Sequence, residues 1–87
     1  MMLKRKYILR TVADKTVAIA AENGNEKTEN VLTLNSTGAF IFGKINDGEE
    51  KDAIVSAFFD EYDVTKEEAA KAVDAFIESL DKAGLLA

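Results

Sequence analysis

The residues that could carry chemistry in this 87-residue chain are three adjacent carboxylate pairs, Glu49/Glu50, Asp60/Glu61 and Glu67/Glu68, and the hydroxyls of Ser36 and Ser79. A carboxyl group works as a general acid or base when burial or a like charge moves its pKa toward the working pH. Each pair here falls on a polar helix surface or a helix end, with no apolar pocket beside it, so all three read as solvated faces. Neither serine has a lysine arranged as an activating base, and the chain holds no His and no Cys. That removes imidazole catalysis, thiol nucleophiles, disulfides and thiol or imidazole zinc sites together. The turn Asp47-Gly48-Glu49 lacks the ligand spacing of a calcium loop, and the five glycines are too scattered to cradle a phosphate. No catalytic residue, metal ligand or cofactor is therefore expected.

The composition is that of one folded domain spanning residues 1–87, with 47% hydrophobic and 31% charged residues. Its core must be modest at this length. The basic start, Met1-Met2-Leu3-Lys4-Arg5-Lys6-Tyr7, is not followed by an apolar signal region, and no run of about 18 apolar residues occurs. A cytoplasmic protein with no membrane association is the expectation. The net charge of -5 divides into +3 over residues 1–44 and -8 over residues 45–87. Such a division either reflects solvated helix faces or supplies complementary fields for a partner. An acidic chain of this size invites comparison with acyl carrier proteins, but their Gly-x-Asp-Ser-Leu attachment motif is absent around Ser36 and Ser79.

The elements that must position any site centre on Val31 to Phe42, a strand that runs directly into a helix. Leu32 and Leu34 point to one face and Val31 and Thr33 to the other. Asn35 supplies a helix cap. Gly38 stands where a capping glutamate could, at a cost of roughly 1 kcal/mol in helix propensity, which suggests a close backbone approach there. Gly38, Ile41, Phe42 and Ile45 share one side and Phe40 lies on the opposite flank, a pattern of burial on most sides. Upstream, β-prone runs at Tyr7 to Arg10 and Thr16 to Ala21 flank an Ala13-Asp14-Lys15 turn and predict a hairpin. Val17 and Ile19 alternate with Ala18 and Ala20, so one sheet face is bulky and the other small. The Asn23-Gly24 turn then returns a third antiparallel strand, about Thr28 to Leu34.

Downstream, Asn46-Asp47-Gly48 ends the first helix and the Glu49-Glu50 carboxylates suit the start of the next. The second helix runs from about Glu50 to Tyr62, with a core stripe of Ile54, Val55, Phe58 and Tyr62 and with Phe59 at its edge. Thr65-Lys66-Glu67-Glu68 is a capping box opening a third helix that extends to about Lys82, where Gly84 stops it. Ala69, Val73, Phe76 and Leu80 form its core stripe. Ala70 and Ile77 widen that stripe on one side, with Asp74 and Asp81 just beyond, which either broadens the core contact or lines a groove. The expected fold is α+β, a three-stranded antiparallel sheet followed by three helices, resembling a winged helix-turn-helix.

Winged helices often bind DNA, and a DNA-binding regulator is the alternative reading. Charge argues against it, because residues 66–82 carry three lysines against five acids where a recognition helix would meet phosphates. An apolar edge strand could also mediate homodimer formation.

Tyr7-Ile8-Leu9-Arg10, then Leu32-Thr33-Leu34-Asn35-Ser36-Thr37-Gly38-Ala39-Phe40-Ile41-Phe42, Asp47-Gly48, Glu61-Tyr62-Asp63-Val64, Leu80 and Gly84-Leu85-Leu86 together resemble the PqqD-like family, named after the D protein of pyrroloquinoline quinone biosynthesis. The Leu-x-Leu-Asn-x-Thr-Gly segment is the most specific part. Phe42 departs from the tryptophan that many relatives carry, one large aromatic for another. The resemblance implies a non-catalytic peptide chaperone, a recognition element for ribosomally made and modified peptides. It would bind the leader segment of a precursor peptide as an added strand and present it to a modifying enzyme, commonly a radical S-adenosylmethionine enzyme. Carried onto this chain, it places Val31, Leu32, Thr33 and Leu34 at the pairing edge, and Ala70, Val73, Asp74, Ile77 and Asp81 on the facing wall.

Overall fold

Alternation of side chains along the first third of the chain produces three strands, β1 (Lys6–Val12), β2 (Lys15–Glu22) and β3 (Asn25–Leu34), in antiparallel order β1-β2-β3. The computed structural model describes residues 2–22 and 25–87, with the side chains of residues 21–30 outside that description. The expected Asn23-Gly24 turn lies outside the described residues. Each strand is longer than its apolar run, because pairing carries polar neighbours with it. Val12 pairs with Lys15, so the first hairpin loop is Ala13-Asp14 alone. Ala13 takes φ +57, the left-handed conformation that mirror-image hairpin turns require at their first central residue. Between β2 and β3 the register jumps from Ile19↔Val31 to Ala20↔Lys27, an irregularity that takes up residues 28–30 of β3.

The covered face of the sheet is the small one. Ala18 and Ala20 are fully buried, while Ile8, Val12 and Val31 on the other face are exposed. The reason is the helix beneath. α1 (Ser36–Asn46) buries Ile41, Phe42 and Ile45 against the sheet, and alanines leave room for the Phe42 ring. Asn35 caps α1 by accepting the Gly38 N–H at 2.8 Å. α1 is the hub: it packs on all three strands and on both later helices, α2 (Lys51–Glu61) and α3 (Lys66–Lys82). Phe40, on its other flank, meets Phe58 and Tyr62 edge-on. Burial raises the Tyr62 phenol above its ordinary pKa, and the neighbouring Glu61 carboxylate adds to the effect.

The helix ends follow the expected chemistry with one exception. Glu49 does not serve α2; it turns back to Lys44 at 3.5 Å, and Glu50 occupies the cap position without a side-chain cap. α3 ends in a Schellman motif, with Leu85 N–H donating to Leu80 O and Gly84, at φ +75, donating to Asp81 O. Its start is a complete capping box: Thr65 N–H donates to Glu68 Oε1 at 2.9 Å and Glu68 N–H to Thr65 Oγ1 at 3.1 Å. The backbone N–H of Thr65, then its hydroxyl, hold the Glu68 carboxyl below its ordinary pKa. The stabilising contribution is therefore present above the normal glutamate range and lost as pH falls through the lowered value. Thr65→Ala is expected to cost about 1 kcal/mol in urea unfolding and to move the Glu68 titration, followed by carboxyl NMR shifts, back up toward an ordinary glutamate.

Candidate functional site

Hydrogen bonding at β1 fixes which backbone groups of the sheet are free. Asn46, at the end of α1, donates from Nδ2 to Tyr7 O at 2.9 Å and accepts the Tyr7 N–H on Oδ1 at 3.1 Å. Tyr7 therefore turns both backbone groups away from β2, and the alternation of an antiparallel ladder sets every other residue. Ile8 and Ile19 exchange hydrogen bonds, Ala18 and Leu32 do the same, and Thr16 and Leu34 follow, in the observed register. Val31 and Thr33 are left with N–H and C=O directed outward, along the edge of β3.

The two edges differ. The amide of Asn46 occupies β1 like one residue of an added strand. Just before it, the chain's tail pairs with residues 2–4, through the Leu3↔Leu86 bridge and Lys4 N–H to Leu85 O at 3.0 Å. Asn46→Leu should remove both bonds to Tyr7, lowering stability by about 1–3 kcal/mol. By uncovering the Tyr7 backbone at the β1 edge it should also increase self-association, read by light scattering.

No described Cα of β3 comes within 8 Å of a Cα of α3, because α1 separates them. Leu32 and Leu34 are half-buried on the helix-covered face, while Val31, 41% exposed, and Thr33 face outward. The best-formed surface depressions are elsewhere, one lined by Val55, Phe59 and Lys66, another by residues 2–6 and 45–48. The candidate site is thus a strand edge rather than a cavity.

The helix half of the expected site divides. Val73 is fully buried in the core. Ala70, Asp74, Ile77 and Asp81 share a stripe about 100° round the helix from the core stripe. That flank faces α2: Asp74 is ion-paired with Lys51 at the start of α2, and Lys66 lies over the Phe59 ring at 5.7 Å. Ala70 and Ile77 are half-buried and Asp81 is exposed. α2 packs beside this stripe, so Asp74 is engaged by Lys51.

The residue of α3 that meets the first turn of α1 is Phe76. A Cβ on Gly38 would stand 3.1 Å from Phe76 Cε1 and 3.0 Å from Asn35 Oδ1, so the glycine permits the approach anticipated from its place in the helix. Phe76 is half-buried and stacks edge-on to Phe42 at 6.5 Å. Gly38 was the signal in the sequence that a large side chain comes close. Asn46 had no such local signal.

Charge on α3 is mostly spent within the helix. Lys71 and Lys82 pair with Glu67 and Glu78 one turn away, and Lys66 is engaged with Phe59. No basic stripe remains on α3 for a phosphate groove, and the DNA-binding alternative is not supported. Among the described residues, no helix is long and apolar enough to cross a membrane.

A sheet whose β1 edge is bonded at Tyr7 and whose β3 edge directs Val31 and Thr33 outward is equipped to take up an extended segment by strand addition. The chain belongs to the family described as Coenzyme PQQ synthesis protein D (PqqD), which it matches over residues 24–86. No curated protein sequence matches it significantly. Among solved structures it is similar to TbiB1 in complex with the TbiA(beta) leader peptide, with TM-score 0.74, 21% identity, and coverage of 99% of this chain and 94% of that one. It is also similar to lasso peptide synthetase B1 complexed with the leader peptide, with TM-score 0.69, 22% identity and coverage of 95% and 92%. These likenesses establish the shared fold.

Proposed function

We propose that this chain is a non-catalytic chaperone that binds the leader segment of a ribosomally made precursor peptide by strand addition. It presents that peptide in the cytoplasm to a modifying enzyme, such as a radical S-adenosylmethionine enzyme. The observation that carries the proposal is the outward N–H and C=O pair at Val31 and Thr33 on the β3 edge. Family membership supports it, as do two solved relatives of the same fold that hold leader peptides. Main-chain bonds to residues 31 and 33 would give affinity, and leader side chains in line with Leu32 and Leu34 would point to the helix-covered face and be selected there. On α3 the proposed wall is Phe76 with the adjoining Ala72; Ile77, Asp74 and Asp81 serve contact with α2 or its rim.

Isothermal titration calorimetry with a synthetic leader peptide from the precursor encoded beside this chain tests the reading. The expected result is saturable 1:1 binding with a negative heat-capacity change and little dependence on salt. Absence of leader binding together with steeply salt-dependent association with duplex DNA would overturn it.

A further inference from the structure

The outer face of α2 keeps apolar residues where a surface helix ordinarily turns polar ones to water. Asp52, Val55, Ser56, Phe59 and Asp60 recur at the i, i+3, i+4, i+7, i+8 spacing of one helical stripe, turned away from the buried pair Ile54 and Phe58. Among the described residues Phe59, 36% exposed, is the one large apolar side chain that a helix leaves open to water. Val55, Ser56, Phe59, Asp60 and Lys66 line a surface depression of about 410 Å³. Lys66, at the start of α3, holds its ammonium over the Phe59 ring at 5.7 Å.

The acids around this depression are unspent. Each lysine of residues 45–87 is engaged: Lys51 by Asp74, Lys66 by the Phe59 ring, Lys71 by Glu67 and Lys82 by Glu78. Asp52, Asp60 and Asp63 pair with no cation among the described residues. Asp52 and Asp60 stand eight residues apart on the stripe, about 12 Å along the helix, with Val55 and Phe59 between them. Asp63 follows in the connection to α3.

We propose that this stripe docks the modifying enzyme, which places an apolar side chain in the depression against Phe59 and flanks it with lysine or arginine for Asp52 and Asp60. Aromatic side chains are the usual anchors at the centre of such interfaces. The uncompensated carboxylates select a basic partner. A second copy laid stripe to stripe is a poor occupant, since Asp52, Asp60 and Asp63 would meet the same acids. The identity of the partner rests on the leader-binding reading, which calls for a second surface clear of β3. α2 supplies it: among the described residues none of its Cα atoms comes within 8 Å of a strand Cα, and it packs on α1 and α3 alone. An enzyme seated on α2 leaves Val31 and Thr33 to the leader, so both partners bind at once.

The test is biolayer interferometry of the peptide-modifying enzyme encoded beside this chain against the wild type, Phe59→Gln and Asp60→Lys, with and without the synthetic leader. Glutamine keeps the helix propensity, and a cation near the end of α2 suits the helix dipole. Phe59→Gln should weaken enzyme binding at least tenfold. Asp60→Lys should weaken it severalfold in low salt, with the difference fading in high salt. The leader dissociation constant, measured separately by calorimetry, should change less than twofold in both variants, and saturating leader should not displace the enzyme. Enzyme binding unchanged in both variants would overturn the docking site. So would a wild type that binds the leader and not the enzyme, or a wild-type dimer in light scattering that Phe59→Gln disperses. A wild type that fails to bind the leader in the calorimetry would remove the leader reading and, with it, the assignment of the partner.

Discussion

Thr33→Pro is expected to weaken leader binding by about tenfold to a hundredfold while leaving the domain folded. The expectation follows from the phase of the ladder. Thr33 pairs opposite Val17 without exchanging hydrogen bonds with it, so its N–H points to the open edge. Proline is tolerated on an edge strand when the missing N–H faces solvent. It deletes one of the donors an added strand needs, and its ring intrudes where that strand would lie. The matching substitution one residue earlier behaves oppositely. Leu32 exchanges hydrogen bonds with Ala18 inside the sheet, and Leu32→Pro should cost about 3 kcal/mol or more of stability. Calorimetric titration paired with urea unfolding separates the two. Thr33→Pro loses affinity with a normal midpoint, and Leu32→Pro loses the midpoint itself.

The second large effect is on folding. Phe42 is fully buried, meets Tyr7 edge-on at 5.1 Å and Phe76 at 6.5 Å, and lies under the alanines of β2. Phe42→Ala leaves a cavity between α1, the sheet and α3, at a cost of about 3–5 kcal/mol. A domain of this size has a total stability of roughly 5–10 kcal/mol. The variant should therefore be largely unfolded in moderate urea where the wild type is native, with far-UV circular dichroism as the readout. Leader binding should fall with it, since Phe76 loses the ring that supports it.

How much of this was legible in the sequence depended on the range of the interaction. The element order, the Asn35 cap, the Thr65 capping box, the Gly84 stop and the buried side of α1 all come from residues within about one helical turn of one another, and the structure keeps each of them. The period-2 pattern of β2 shows that Ala18 and Ala20 oppose Val17 and Ile19, but periodicity cannot say which face a helix will cover. The size of Phe42 decides it. The flank of α3 is a tertiary matter also: Ala70, Asp74 and Ile77 form a groove-like stripe in the sequence, and periodicity cannot show that Asp74 pairs with Lys51 of α2. Asn46 bonds the β1 edge at Tyr7, 39 residues away along the chain, and nothing local distinguishes it from an ordinary helix-ending asparagine.

The most direct measurement is amide hydrogen exchange by NMR, residue by residue, with and without saturating leader peptide. In the free domain Leu32 and Leu34, bonded to β2, should exchange slowly, while Val31 and Thr33 exchange quickly. Leader binding should slow Val31 and Thr33 by at least tenfold and change Tyr7 little, because Asn46 already protects it. Saturating binding that leaves Val31 and Thr33 exchanging as in the free domain would contradict strand addition at β3.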